Sequence, residues 1–355
     1  MTDFAVLSAD AFRTAAKDWQ AANFPPSLRG LAPPLSGHDH LKGPPADQAL
    51  WKTRVAAMGW GAPHWPKVYG GAGLDDEQIA ILREEVASVG AFMPITGLGL
   101  MMLGPTLLEF GTEAQKLRHL PPIARGEVHW CQGFSEPGAG SDLASLRMRC
   151  EDVHDPVGGD HWLLNGQKIW TSYAHLSDWC FCIAPTSIER KQGGISFLLV
   201  DMTTPGIEAR PIKLINGVSH FCETFFTDVR VPRENLVGAI DGGWRIAKRL
   251  LQHERTGLSA QRGAIAAAFD LAEMAREYTA SDAAGRLNDG DLRGRLADHM
   301  MRDHAYRLTL QRRAAESEAG LVPSTPISSL KNVGAAVGQE RYELAVEILG
   351  LNGLG

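Results

Sequence analysis

The sequence predicts an α+β fold in which a helical N-terminal part, a β-rich middle part and a helical C-terminal part follow one another. Three observations carry this. Apolar residues recur at helical spacing at both ends of the chain. The middle is rich in β-branched and aromatic residues, with Gly and Pro punctuating it at short intervals. Strands and helices do not alternate, and no G-x-G-x-x-G run follows a predicted strand, which argues against a Rossmann fold. The expected boundaries are residues 1–128, 129–236 and 237–355. The chain has 355 residues, 44% of them hydrophobic. That exceeds the size at which one core stops growing, so two or three subdomains are expected.

In the N-terminal part, Asp10 to Ala22 reads as an amphipathic helix. The Pro/Gly-rich stretch from Phe24 to Pro45 cannot sustain a helix. Asp47 to Met58 is helical again. Pro63, Pro66, Gly70, Gly71 and Gly73 make a turn-dense loop. Asp75 and Asp76 then start a helix that runs to Val89, because a short acidic side chain satisfies the first free backbone N–H groups.

In the middle part, Trp162-Leu163-Leu164-Asn165-Gly166-Gln167-Lys168-Ile169-Trp170 reads as two strands joined by an Asn-Gly turn. Trp179 to Ala184, Ile195 to Asp201 and Glu223 to Val231 are further strands. After Gly242-Gly243, helices are expected over Trp244 to Ala268, Asp291 to Ala315 and Val333 to Leu349.

Composition narrows the function. Charged residues make up 21% and the formal net charge is −6. No Lys/Arg run stands out, so nucleic acid and anionic membrane surfaces are poor candidates as partners. Five cysteines, Cys131, Cys150, Cys180, Cys182 and Cys222, include no C-x-x-C pair. This argues against a disulfide framework or a structural zinc site, and no metal is expected. Cys180 and Cys182 fall on one face of a strand, as thiols packed like small hydrophobes. No signal peptide and no apolar run of membrane-spanning length is visible. A soluble, cytoplasmic protein is expected.

The run Gly133-Phe134-Ser135-Glu136-Pro137-Gly138-Ala139-Gly140-Ser141-Asp142 carries most chemistry. Gly138 and Gly140 let the backbone come close to a cofactor or phosphate, and Ser135 and Ser141 add hydroxyls that donate or accept. The plainer reading of such a run is a surface loop.

This run resembles the signature of the acyl-CoA dehydrogenase family. Four further landmarks follow in the family's order: Asn165-Gly166-Gln167-Lys168-Ile169-Trp170-Thr171-Ser172, Gly194-Ile195-Ser196-Phe197, Val229-Arg230-Val231-Pro232 and Leu349-Gly350-Leu351-Asn352-Gly353. The similarity spans nearly the whole chain. It implies a helical domain, a β-barrel-like middle domain and a four-helix C-terminal domain. It also implies FAD as cofactor and an acyl-CoA thioester as substrate, dehydrogenated between its α and β carbons. An electron-transfer flavoprotein or similar acceptor and a homo- or hetero-oligomeric state follow from it too.

By the same resemblance, the Gln132–Ser135 stretch, including Phe134, contacts the isoalloxazine. Gly140 and Ser141 lie near the FAD pyrophosphate or the pantetheine of the substrate. Trp170 and Ser172 flank the flavin. A large aromatic there excludes water, and a hydroxyl can hydrogen-bond the flavin N5. Arg255 matches a family Arg that binds the thioester or its pantetheine arm. Glu254 is the candidate base for the α proton, because a minority of the family, resembling the isovaleryl and long-chain enzymes, keeps the base in a Glu-Arg pair on this helix. No family position supports His253.

Two departures matter. The family's Arg-x-x-Phe-Gly motif, which reaches the FAD of another subunit, is absent from Thr279 to Asn288, and its role is not carried over to Arg286. Relatives also continue beyond the late Gly-rich turn with a segment that in many holds the catalytic Glu, so the C-terminal domain is expected to continue past Gly355. Two other functions share the fold class: a flavin oxidase or monooxygenase, and a non-catalytic subunit of a heteromeric dehydrogenase.

Overall fold

In the computed structural model the chain runs as helices, then strands, then helices. The structure describes residues 4–31, 44–266, 269–321 and 326–354. Residues 1–253 and 254–355 form two compact units.

The first unit begins with helices α1 (Ala9–Asn23), α2 (Pro45–Ala57) and α3 (Asp76–Ser88). A π-helical turn, Gly99–Leu103, leads into α4 (Gly104–Phe110), and α5 (Glu113–Ala124) follows. The Asp75 side chain accepts the Gln78 N–H at 2.8 Å, and Gln78 returns to the Asp75 N–H, so both ends of a capping box are made. Thr112 and Gln115 start α5 in the same way. Phe12, Phe24, Trp51 and Trp60 are buried in the core among α1, α2 and α3. Of the Pro/Gly-rich stretch, the described part holds one short 3₁₀ turn, Pro26–Leu28; residues 32–43 lie outside the described residues.

The middle of the unit is two four-stranded sheets. One has the order β1 (Trp130–Gly133), β4 (Trp179–Pro185), β5 (Ile195–Asp201), β8 (Leu236–Val237). The other has the order β2 (Arg149–Val153), β3 (His161–Ser172), β7 (Phe221–Pro232), β6 (Ile207–Ile212). Alternation along β4 and β5 explains their unbroken apolar runs. Cys180, Cys182, Leu198 and Val200 pack against Cys150, Trp162, Leu164 and Val229 of the second sheet. Phe181, Ile183, Phe197 and Leu199 pack on the opposite face against Leu107, Leu120 and Ile123 of the helices. A strand buried on both faces has no polar face to show.

The five cysteines are free and buried. The Cys180 thiol is pushed well up by its hydrogen bond with Cys131, and the Cys182 thiol by its hydrogen bond with Cys180, with burial adding to both. They are small core hydrophobes.

The Asn-Gly pair is not a turn. β3 runs straight through it to Ser172 and pairs with β2 on one side and β7 on the other. Asn165 instead holds a bulge in β7: its Oδ1 accepts the Asp228 N–H at 2.9 Å and its Nδ2 donates to Asp228 Oδ1 at 3.0 Å, with Asp228 at φ 51°. Strands β1, β2, β6 and the two-residue β8 are not among the expected elements. β2 and β6 are short and largely exposed at the edges of their sheet, and carry too few apolar residues to announce themselves.

Helix α6 (Gly243–Ala266) crosses from the first unit into the second. The second unit continues with α7 (Leu271–Tyr278), α8 (Gly290–Glu318) and α9 (Ile327–Leu349). Leu271 and Ala275, Leu292 and Leu296, and Leu344 and Ile348 bring the last three helices together. The helix expected to Ala268 is described as far as Ala266, and residues 267–268 lie outside the described residues. Among the described residues no helix is long and apolar enough to cross a membrane.

Candidate functional site

The signature run leaves β1 at Gly133 and folds into a loop that is fastened from beneath. Glu136 and Ala139 exchange two backbone hydrogen bonds of 3.0 Å, which closes the Pro137-Gly138 tip. Glu136 is buried and turns its carboxylate inward. Oε2 accepts the Arg147 N–H at 2.7 Å, and Oε1 accepts the Met148 N–H at 3.1 Å and the Lys168 ammonium at 2.9 Å. Lys168 is completely buried on β3 and also donates to the Phe134 carbonyl at 3.1 Å. The Ile169 N–H donates to the Ser135 carbonyl at 2.9 Å. Signature loop and β3 are therefore one structure.

Inward positions of β3 alternate through Trp162, Leu164 and Lys168. Simple alternation would then send Trp170 inward. It does not, because the register slips between Lys168↔Thr224 and Thr171↔Cys222, leaving one extra residue on β3. Trp170 is in that bulge at φ 61° and is 55% exposed, while Thr171 takes the inward place. A bulky residue in the left-handed region costs about 1–3 kcal/mol, and such bulges re-aim side chains next to functional sites. The Trp170 ring meets Phe221 edge-on at 6.1 Å. Three residues on, Tyr173 is also left-handed, at φ 54°. Its N–H donates to the His220 carbonyl at 2.8 Å and its hydroxyl pairs with His220 Nδ1. Ser172, half-buried, lies between these two strained positions.

The expected cofactor residues are thus placed as follows. Gln132 and Ser135 are half-buried, and Gly140 and Ser141 are exposed. The Phe134 ring is in the core, edge-on to Phe181 and Phe197, which leaves its backbone for a ligand. A Cβ built on Gly138 or Gly140 would meet nothing within 4 Å. These glycines serve no internal packing, and the space above them is open to a ligand. An exposed aromatic, an open glycine loop and flanking hydroxyls fit the edge and phosphates of a flavin nucleotide.

Glu254 and Arg255 are half-buried on α6 in the C-terminal unit. Burial raises the Glu254 carboxyl above the ordinary carboxylate range, and the positive charges of Lys331 and Arg255 oppose this in part. Burial lowers the neighbouring His253. In the stretch that lacks the family's Arg motif, Arg286 Nε is spent on Asp282 at 2.8 Å within a closed turn. Lys168 and Glu136 are the site-building residues that the motif reading passed over. A lysine at an inward position of an apolar strand is the signal that marks them.

The sequence matches three profiles of known families: the N-terminal domain of acyl-CoA dehydrogenases over residues 10–127, the middle domain over 131–229 and the C-terminal domain over 241–355. It is 40% identical over 280 residues to the acyl-CoA dehydrogenase IpdE1 of Mycobacterium tuberculosis, covering 77% of this chain and 70% of that one. It is 31% identical to the mitochondrial short-chain specific acyl-CoA dehydrogenase of Rattus norvegicus, covering 84% and 72%. Among solved structures it resembles the Tcur3481-Tcur3483 steroid ACAD, with TM-score 0.76, 29% identity and coverage of 97% and 85%. It also resembles the ChsE4-ChsE5 complex of Mycobacterium tuberculosis, with TM-score 0.70, 29% identity and the same coverage. With all three domains matched in order on an α+β scaffold of helices, sheets and helices, the chain belongs to the acyl-CoA dehydrogenase family.

Proposed function

We propose that the protein binds FAD on the shelf formed by the signature loop and the Trp170 bulge, and dehydrogenates the α,β bond of an acyl-CoA thioester. The observation that carries this reading is Trp170 itself: a tryptophan held outward at a cost in backbone energy, fastened beside an open glycine loop. Gln132, Ser135, Gly140, Ser141, Trp170 and Ser172 hold the cofactor, with Phe134 contributing only backbone. Bound there, the flavin would supply a two-electron acceptor for the hydride that leaves the substrate β carbon. Glu254 takes the α proton on its carboxylate. Its half-buried setting suits a base whose affinity for a proton must rise toward working pH. Arg255 offers fixed donors to the thioester or pantetheine oxygens, and Ser141 adds a hydroxyl.

The substrate we favour is a bulky acyl-CoA of the steroid-degradation type, since a steroid ACAD is among the similar solved structures. The acceptor we favour is an electron-transfer flavoprotein. A heteromeric assembly is supported by neighbours solved as two-chain complexes. It is also supported by α8, which leaves Met300, Met301 and Leu308 exposed. Full-length protein, alone and with a co-expressed partner chain, tests this by its visible spectrum and by turnover with short-chain and steroid-side-chain acyl-CoAs and an artificial electron acceptor. Flavin absorbance and slow reoxidation in air are expected. A folded protein that takes up no flavin in either form rejects the reading. Fast reoxidation by air replaces dehydrogenase with oxidase.

A further inference from the structure

Lys168 is a buried ammonium that the proposed chemistry does not use, on the strand that carries Trp170 and directly beneath the signature loop. Taking a lysine entirely out of water costs several kcal/mol unless its partners are well placed. Here they are: the Glu136 carboxylate at 2.9 Å and the Phe134 carbonyl at 3.1 Å. A pair that served folding alone could be replaced by apolar side chains of similar volume, often without loss.

The consequence for the loop follows from peptide planarity. The Phe134 carbonyl and the Ser135 N–H belong to one planar trans peptide, so they point in opposite directions. Because Lys168 draws the carbonyl inward, the Ser135 N–H is turned outward. The next carbonyl, that of Ser135, is held by the Ile169 N–H at 2.9 Å, one residue before Trp170. The Glu136 N–H is then occupied by Ala139 at 3.0 Å. Of these consecutive peptides, the one gripped by Lys168 presents its donor to the ligand side, beside the Ser135 hydroxyl.

Resting on the FAD-binding reading above, we propose that Lys168 and Glu136 are positioning residues for the flavin. Their ion pair sets the Phe134–Ser135 peptide so that the Ser135 N–H and hydroxyl face the cofactor, in fixed register with Trp170. Neither side chain touches the ligand.

The test compares wild type, Lys168→Met, Glu136→Gln and the Lys168→Met/Glu136→Gln double variant, each stripped of FAD and then titrated with FAD. The readouts are dissociation constant, flavin circular dichroism and the thermal midpoint of the apo-protein. Either single change should lower the midpoint, because each leaves a buried polar group without its partner. The double variant should recover part of the midpoint that Lys168→Met loses, because the uncharged amide needs no ammonium partner, yet still bind FAD at least about tenfold more weakly than wild type, with an altered flavin circular dichroism band. If FAD affinity and the band return together with stability, the pair is merely structural and the proposal is overturned. Wild-type affinity in a folded Lys168→Met variant overturns it equally. A wild-type protein that binds no FAD overturns the reading this inference rests on as well, whereas a wild type that binds FAD beside variants of equal affinity overturns this inference alone.

Discussion

Two residues carry most of the proposed chemistry, and each yields a separate test. Trp170 is held in the left-handed region by a one-residue bulge. If this strain is maintained for the cofactor, Trp170→Gly should leave apo-protein stability within about 1 kcal/mol of wild type, since glycine accepts that backbone without cost. The same change should weaken FAD binding about tenfold through the lost aromatic contact. An unchanged FAD titration would remove Trp170 from the site. Glu254 is raised by burial. A base must be ionised, so substrate-driven flavin reduction should fall on acidification, with its midpoint above the ordinary carboxylate range. Glu254→Gln should slow that reduction by about 10²–10⁴-fold and abolish the acid limb, while FAD content stays constant. Near-wild-type reduction would move the base elsewhere. Both positions were legible as candidates from the family resemblance, Trp170 in a landmark run and Glu254 in a Glu-Arg pair. The outward aim of Trp170 was not, because period-two alternation sends residue 170 inward and only the paired register reveals the bulge.

At the level of elements, the sequence was most readable where local chemistry decides. Asp75 opens α3 because its side chain accepts the otherwise free Gln78 N–H, and the apolar runs of β4 and β5 match strands covered on both faces. It was least readable where partners decide. Asn165-Gly166 has turn chemistry, yet β2 and β7 hold the strand straight on both sides. The packing of α5 on the sheet makes a further prediction. His119 is buried edge-on to Trp130 at 5.3 Å and Trp179 at 4.9 Å, and burial, aided by the charge of Arg118, lowers its pKa to about 4. Between that value and the unfolded 6.5, the unfolded chain binds a proton that the native chain refuses. The stabilisation is complete above pH 6.5 and is lost as pH falls toward about 4, by roughly 3 kcal/mol in all. Denaturant melts at pH 7.5 and 5 should show the loss, and His119→Phe should flatten it. An equal pH slope in both proteins would assign the effect to other groups.

For the whole molecule, the family is set by three domains matched in order, and the fold follows. The first unit holds the shelf and the second holds Glu254 and Arg255. The proposed function requires this chain to turn an acyl-CoA into a reductant of its own bound flavin. Anaerobic titration of the FAD-loaded protein with acyl-CoA thioesters measures this. The oxidised flavin band should bleach in proportion to added substrate, and Glu254→Gln should bind the same thioester while its band persists. A loaded, folded protein, with or without its partner chain, whose flavin band no acyl-CoA bleaches rules out the proposed function.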